Sequence, residues 1–140
     1  MALFGIVARH GVPARATFFG DDKVDVREAP GKGRGVFATR AIECGELIEL
    51  TAVLLFDARE LELLNQTRLG DYLVHWPVDP VADECLPLGR ICLANHSEEP
   101  NTEYHRDLDQ GIIEWVALRR IESGEELTFK YHCVPWFPIR

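Results

Sequence analysis

The sequence predicts a mostly β domain, on three observations. Short runs rich in β-branched and aromatic residues recur along the chain. Turns dense in Gly and Pro separate them, and only one stretch carries the start and stop signals of an α-helix. No strand–helix–strand rhythm appears, which argues for long-range strand pairing rather than a wound parallel sheet. At 140 residues the chain is long enough for one domain with a real core. Apolar residues make up 46% and charged residues 27%, an ordinary globular balance. No linker, low-complexity segment or internal repeat stands out.

Taken in order, residues 1–22 read as an N-terminal extension with short extended pieces, ending at the turn Asp21-Asp22. Lys23–Arg27 alternates polar and apolar, the mark of a half-buried strand. Glu28–Gly33 is a loop of breakers, and Gly35–Thr39 a strand. Ala41–Gly45 turns the chain into a long apolar strand over Glu46–Phe56. Asp57 with Glu60 three residues later resembles a capping box, so a helix is expected over about Ala58–Thr67. Tyr72–Trp76 reads as a strand stopped by Pro77, Asp79–Pro87 as loop, and Leu88–Ala94 as either strand or helical turn. Thr102–Arg106 and Ile112–Leu118 form an antiparallel pair, and Glu126–His132 is the last strand. The tail 133–140 holds Trp136 and Phe137 between prolines, too stiff for a helix.

The net charge of −8 argues against nucleic-acid binding through phosphates. It suits a basic protein or peptide partner, although solubility alone also accounts for it. Glu98, Glu99, Glu103 and Asp107 are acids that fit such a partner. Cys44, Cys85, Cys92 and Cys133 include no C-x-x-C pair, so no local zinc clasp is expected. Each reads as a buried, inert, reduced thiol, which suits a cytoplasmic setting and leaves a nuclear one open. No stretch approaches the ~20 apolar residues that cross a bilayer, and Ala2–Ala8 is short for a signal peptide.

Three segments carry the chemistry. Gly31-Lys32-Gly33-Arg34-Gly35 lacks phosphate-loop spacing and leads into a strand. By itself it is a turn whose glycines allow close backbone approach, with Lys32 and Arg34 as cations for a carboxylate. Asn95-His96-Ser97-Glu98-Glu99-Pro100-Asn101 is by itself a polar loop. Gly124-Glu125-Glu126-Leu127-Thr128-Phe129-Lys130-Tyr131 is by itself a turn and a strand.

Together, in this order and spacing, the three resemble the signature segments of SET domains, the lysine methyltransferase family. Gly33–Ile42 with Gly45-Glu46-Leu47-Ile48 matches the first, N-H-S-x-x-P-N at Asn95–Asn101 the second, and Val116–Ile121 with Gly124–Tyr131 the third. The resemblance implies a β-clip fold in which the C-terminal segment threads a loop made by the N-H-S stretch, a pseudoknot. It implies S-adenosyl-L-methionine as methyl donor, S-adenosyl-L-homocysteine as product, and a lysine ε-amine as acceptor. Tyr131 matches the catalytic tyrosine. Lys32, Gly33, Arg34, Gly35, Asn95 and His96 match cofactor positions, His96 mainly through its backbone. Asn101 would pin the pseudoknot loop. Phe129 matches the position that limits methyl number, where phenylalanine leaves room for di- or trimethylation. Tyr72 resembles an aromatic that lines the lysine channel, while Tyr104 and Trp115 read as packing.

Two departures stand out: Glu98 where many relatives carry Cys, and Lys130 where many carry Asp. With only Cys133 after the last strand, no C-terminal zinc site is expected. Trp136 would then pack on the cofactor and Phe137 cover the channel. The middle insert, 57–87, is short, and the size resembles minimal bacterial and viral members, which often form homodimers. The competing reading is a non-catalytic SET-like module that binds cofactor or a basic partner.

Overall fold

A computed structural model describes residues 23–132. Strands β1 (Val24–Ala29) and β2 (Gly33–Ala38) form an antiparallel hairpin. Its turn closes where the Lys32 N–H donates to Ala29 O at 2.9 Å. Pro30 sets the first central position, and Gly31 takes the second with φ +76°, which a type II turn reserves for glycine. The alternation expected of Lys23–Arg27 is not realised: β1 is an edge strand, and Val26 is exposed.

Strands β3 (Leu47–Leu55), β4 (Val74–His75), β5 (Glu84–Pro87), β7 (Thr102–Asp107) and β8 (Ile112–Ala117) build a five-stranded sheet in the order β4-β5-β3-β8-β7. The second sheet runs β1-β2-β9-β6, with β6 at Asn95–His96 and β9 at Glu126–Phe129. β9 pairs antiparallel with β2 and parallel with β6. Helix α1 (Ala58–Leu64) follows Asp57, and both arms of the capping box form. The Glu60 N–H donates to Asp57 Oδ1, and the Asp57 N–H to Glu60 Oε2, each at 2.9 Å. Two amides that a bare helix end would orphan are thereby satisfied.

The middle of the chain departs from expectation. The helix ends at Leu64, and a 3-10 turn occupies Arg68–Tyr72, so only Val74–His75 remains of the strand expected over Tyr72–Trp76. Glu84–Pro87, expected as loop, is β5, paired to β3 and β4. Leu88–Ala94 resolves as a 3-10 turn at Arg90–Leu93. The last strand stops at Phe129. Cys44 is exposed rather than buried. Cys85 is fully buried, and desolvation pushes its thiol up to about 12.

The core gathers Trp76, Trp115, Ile91, Ile113, Leu127 and Val36 from both sheets. Burying side chains of this size stabilises by about 1.5–3 kcal/mol each before entropy is counted. The Trp115 indole keeps its polar tip satisfied: Nε1 donates to Thr102 Oγ1 at 2.8 Å. That hydroxyl donates on to Thr128 O at 2.7 Å, tying core to β9.

The structure also pairs two copies of a short repeat. Ala38-Thr39-Arg40-Ala41-Ile42-Glu43-Cys44-Gly45-Glu46 and Ala117-Leu118-Arg119-Arg120-Ile121-Glu122-Ser123-Gly124-Glu125 share A-x-R-x-I-E-x-G-E. Ile42 and Ile121 exchange backbone hydrogen bonds, both 2.9 Å. In each copy the Arg donates to the final Glu, and the final Glu accepts from the backbone N–H three residues before it. The Arg120–Glu43 ion pair links the copies.

Candidate active site

The second copy delivers β9 into a crossing. On one side Asn95 and His96 run beside Thr128 and Phe129. Beyond them the loop folds over, and Asn101, buried, clamps β9 with both ends of its amide. Nδ2 donates to Glu126 O and Oδ1 accepts from the Thr128 N–H, each at 2.8 Å. The chain just after β9 is thus held where Tyr131 can reach back. The Tyr131 N–H donates to His96 Nδ1 at 2.9 Å, and its hydroxyl donates to Ala94 O at 3.0 Å.

Asn95 Nδ2 donates to Arg34 O at 3.1 Å and to Glu126 Oε1 at 2.7 Å, which leaves Oδ1 as the free acceptor of that amide. Glu126 Oε2 takes Lys32 Nζ at 3.1 Å. Gly35 sits under this cluster: a Cβ there would meet Glu126 Oε1 at 2.8 Å and Asn95 Nδ2 at 3.0 Å. At Gly33, with φ +80°, the added Cβ would meet open space. So the structure brings Lys32, Gly33, Arg34, Gly35, Asn95 and His96 to one end of the second sheet, with Lys32 spending its charge on Glu126. Trp136 and Phe137 lie outside the described residues.

On the other side of Tyr131 opens a cavity of about 470 Å³. Four aromatic side chains line it: Tyr72, Tyr104, Phe129 and Tyr131. Phe129 lies 4.9 Å from the Tyr131 ring, centroid to centroid, and meets Tyr104 edge-on at 5.4 Å. Tyr72 and Cys92 also border a second cavity of about 560 Å³, lined by Glu49, Arg90 and leucines. The acids that line the first cavity are Asp71, Asp83 and Glu84, rather than Glu98, Glu99, Glu103 and Asp107. Arg106 stacks 4.7 Å over the Tyr104 ring and donates to its hydroxyl at 2.9 Å. His132 also lines the cavity; desolvation, with Arg106 and His75 nearby, lowers its pKa from the ordinary value.

Trp115 is core, as expected, and Tyr104 packs against that core while also lining the cavity. Alternation along β7 gives Tyr104 a face without saying that a cavity lies beyond it. The Ala94 carbonyl leaves no trace in sequence, since any residue presents one. Glu126 stands inside a quoted motif, and its role appears only once Asn95 is seen against it.

The sequence profile of the SET domain matches residues 33–132, most of the chain, and the chain belongs to the SET-domain family. Among curated proteins, it is 34% identical over 115 residues to the histone-lysine N-methyltransferase, H3 lysine-37 specific, of Schizosaccharomyces pombe. That match covers 81% of this chain and 76% of the relative. It is 35% identical over 118 residues to the histone-lysine N-methyltransferase trithorax of Drosophila virilis, covering 79% of this chain and 3% of that protein. The N-lysine methyltransferase KMT5A-A of Danio rerio is 35% identical over 125 residues, with 79% and 36% covered. A crystal structure of a Plasmodium falciparum protein described as a histone methyltransferase superposes with a TM-score of 0.60 at 25% identity, over 84% of this chain and 100% of that one. The mostly β architecture is thus the SET fold, shared with lysine methyltransferases.

Proposed function

We propose that the chain transfers a methyl group from S-adenosyl-L-methionine to the ε-amine of a lysine in a basic protein. The observation that carries this reading is the Tyr131 hydroxyl on the Ala94 carbonyl, at the meeting of the Asn95 cluster and the aromatic cavity. The residues present fit the cofactor. The Asn95 Oδ1 is free to accept from an amino group, the exposed Arg34 guanidinium suits a carboxylate, and Gly33 leaves the backbone open. When bound, the cofactor supplies an electrophilic methyl carbon on a sulfonium.

The chain's own residues do the rest. Tyr72, Tyr104 and Phe129 strip water from the lysine stem and hold it in line. An ammonium, ordinarily near pKa ~10.4, is disfavoured by that desolvation and by the Arg106 guanidinium. Tyr131 and the Ala94 carbonyl point oxygen toward the place where positive charge shifts during transfer. Asp71, Asp83 and Glu84 attract a cationic segment to the mouth. Phe129 puts no hydroxyl into the channel, which supports transfer of more than one methyl group. The relatives named for histone lysines point the same way for substrate class.

Calorimetry with S-adenosyl-L-methionine, then a radiolabelled methyl assay on mixed basic proteins, tests the reading; mass spectrometry supplies the site and methyl count. Tyr131→Phe should lower kcat by about a hundredfold or more with cofactor affinity kept. Wild-type turnover in that variant removes Tyr131 from the chemistry.

A further inference from the structure

The two departures from the family pattern, Glu98 and Lys130, meet in space: Lys130 Nζ lies 2.9 Å from Glu98 Oε2. The other carboxylate oxygen, Oε1, lies 3.0 Å from His96 Nε2. His96 Nδ1 accepts from the Tyr131 N–H, so the ring carries no proton there, and the neutral ring's one proton sits on Nε2, aimed at Glu98. We propose that Lys130 and Glu98 are positioning residues that act through the His96 imidazole to hold Tyr131 in place for methyl transfer. The role rests on the catalytic reading of Tyr131 given above.

The physical case turns on one nitrogen. If the imidazole switches tautomer or gains a second proton, Nδ1 becomes N–H and faces the Tyr131 N–H. The acceptor is lost, and the segment that carries the phenol is released from β6. Glu98 favours the proton on Nε2 by accepting it. Lys130, by holding Oε2, keeps the other carboxylate oxygen turned toward Nε2. Glu98 and the Tyr131 ring meet the imidazole, the latter edge-on at 5.2 Å, and Lys130 bears on it through Glu98. The Glu98 and Lys130 side chains are 66% and 59% exposed, so their ion pair itself adds little stability. His96 is 4% exposed at its side chain, so the orientation of its ring is what they govern.

Three variants of the full chain test this, read by kinetics and by NMR of the coupling across the Tyr131 N–H···Nδ1 bond. Glu98→Ala should lower kcat about tenfold with both KM values within about twofold, and should abolish the coupling. Glu98→Gln keeps an acceptor without the charge and should restore kcat to within about threefold, with the coupling. Lys130→Met frees the carboxylate to turn away and should weaken the coupling and lower kcat several-fold with both KM values kept. Wild-type kcat and coupling in Glu98→Ala, a Gln variant no better than the Ala variant, or wild-type kcat and coupling in Lys130→Met each overturns the proposal. If the wild-type chain methylates nothing, the functional reading fails, while the NMR arm still decides whether Glu98 sets the tautomer.

Discussion

The two A-x-R-x-I-E-x-G-E copies start alike and end differently. Each turns on a glycine with positive φ, Gly45 at +79° and Gly124 at +86°. In each, an Arg and a backbone N–H hold the closing Glu. The first copy then feeds Leu47 into β3, which pairs antiparallel with β8. The second feeds Glu126 into β9, which slides between β2 and β6 and passes under Asn101. The same local instructions thus make a plain sheet strand once and a site-bearing strand once. What separates them is the partner that comes from far along the chain.

The largest test of that difference removes the clamp that only the second copy has. Asn101→Ala would leave the Glu126 carbonyl and the Thr128 N–H without their partner in a buried crossing. It should destabilise the chain by about 2–4 kcal/mol in urea unfolding. A loss under ~1 kcal/mol would mean that the crossing holds without Asn101. Next comes the cavity wall built by the middle insert. Tyr72→Ala should raise KM for the protein substrate several-fold, on the order of ~1 kcal/mol of lost contact, with unfolding nearly unchanged. An unaltered KM would take Tyr72 out of the substrate path.

The smallest effect compares the copies directly in acid. A hydrogen bond from Arg119 holds Glu125 at about 2, against an ordinary 4.5; burial opposes this, and the Glu122 N–H and Asn101 assist. Burial pushes Glu46 up, but the hydrogen bonds from Arg40 and the Glu43 N–H outweigh it and leave its pKa lowered. A depressed folded pKa gives stability that is full above 4.5 and fades as pH falls toward 2. Glu125→Gln should therefore flatten the stability profile between pH 4.5 and about 2. Glu46→Gln should flatten it less. Equal flattening in urea titrations at stepped pH would make the copies electrostatically alike.

Much of the candidate site was legible through the family resemblance. Asn95, His96, Asn101 and Tyr131 stand in segments whose likeness to the SET signature implies the crossing. Asp57 with Glu60 announced the helix start, since a capping box is a purely local device. The wall was legible only in part: the resemblance marks Tyr72 and Phe129, but not the short strands beside them. β5 is four residues and is a strand because β3 offers an edge, and β4, two residues, pairs in turn with β5. Tyr104 packs against the core as its strand position implies, but a period of two does not reveal that a cavity borders it. Cys44 looked buried by residue type, yet it lies on the exposed first copy of the turn, with its Sγ on Leu118 O. The repeat is faint in the sequence because its copies lie far apart and differ at the x positions.

The parallel pairing of β6 with β9 joins pieces of chain more than thirty residues apart, with the whole β7–β8 hairpin between them. Such a join closes slowly, because the intervening loop must first be ordered. The Tyr131 phenol is therefore brought beside Asn95 only when that long loop closes, and not by either local hairpin alone.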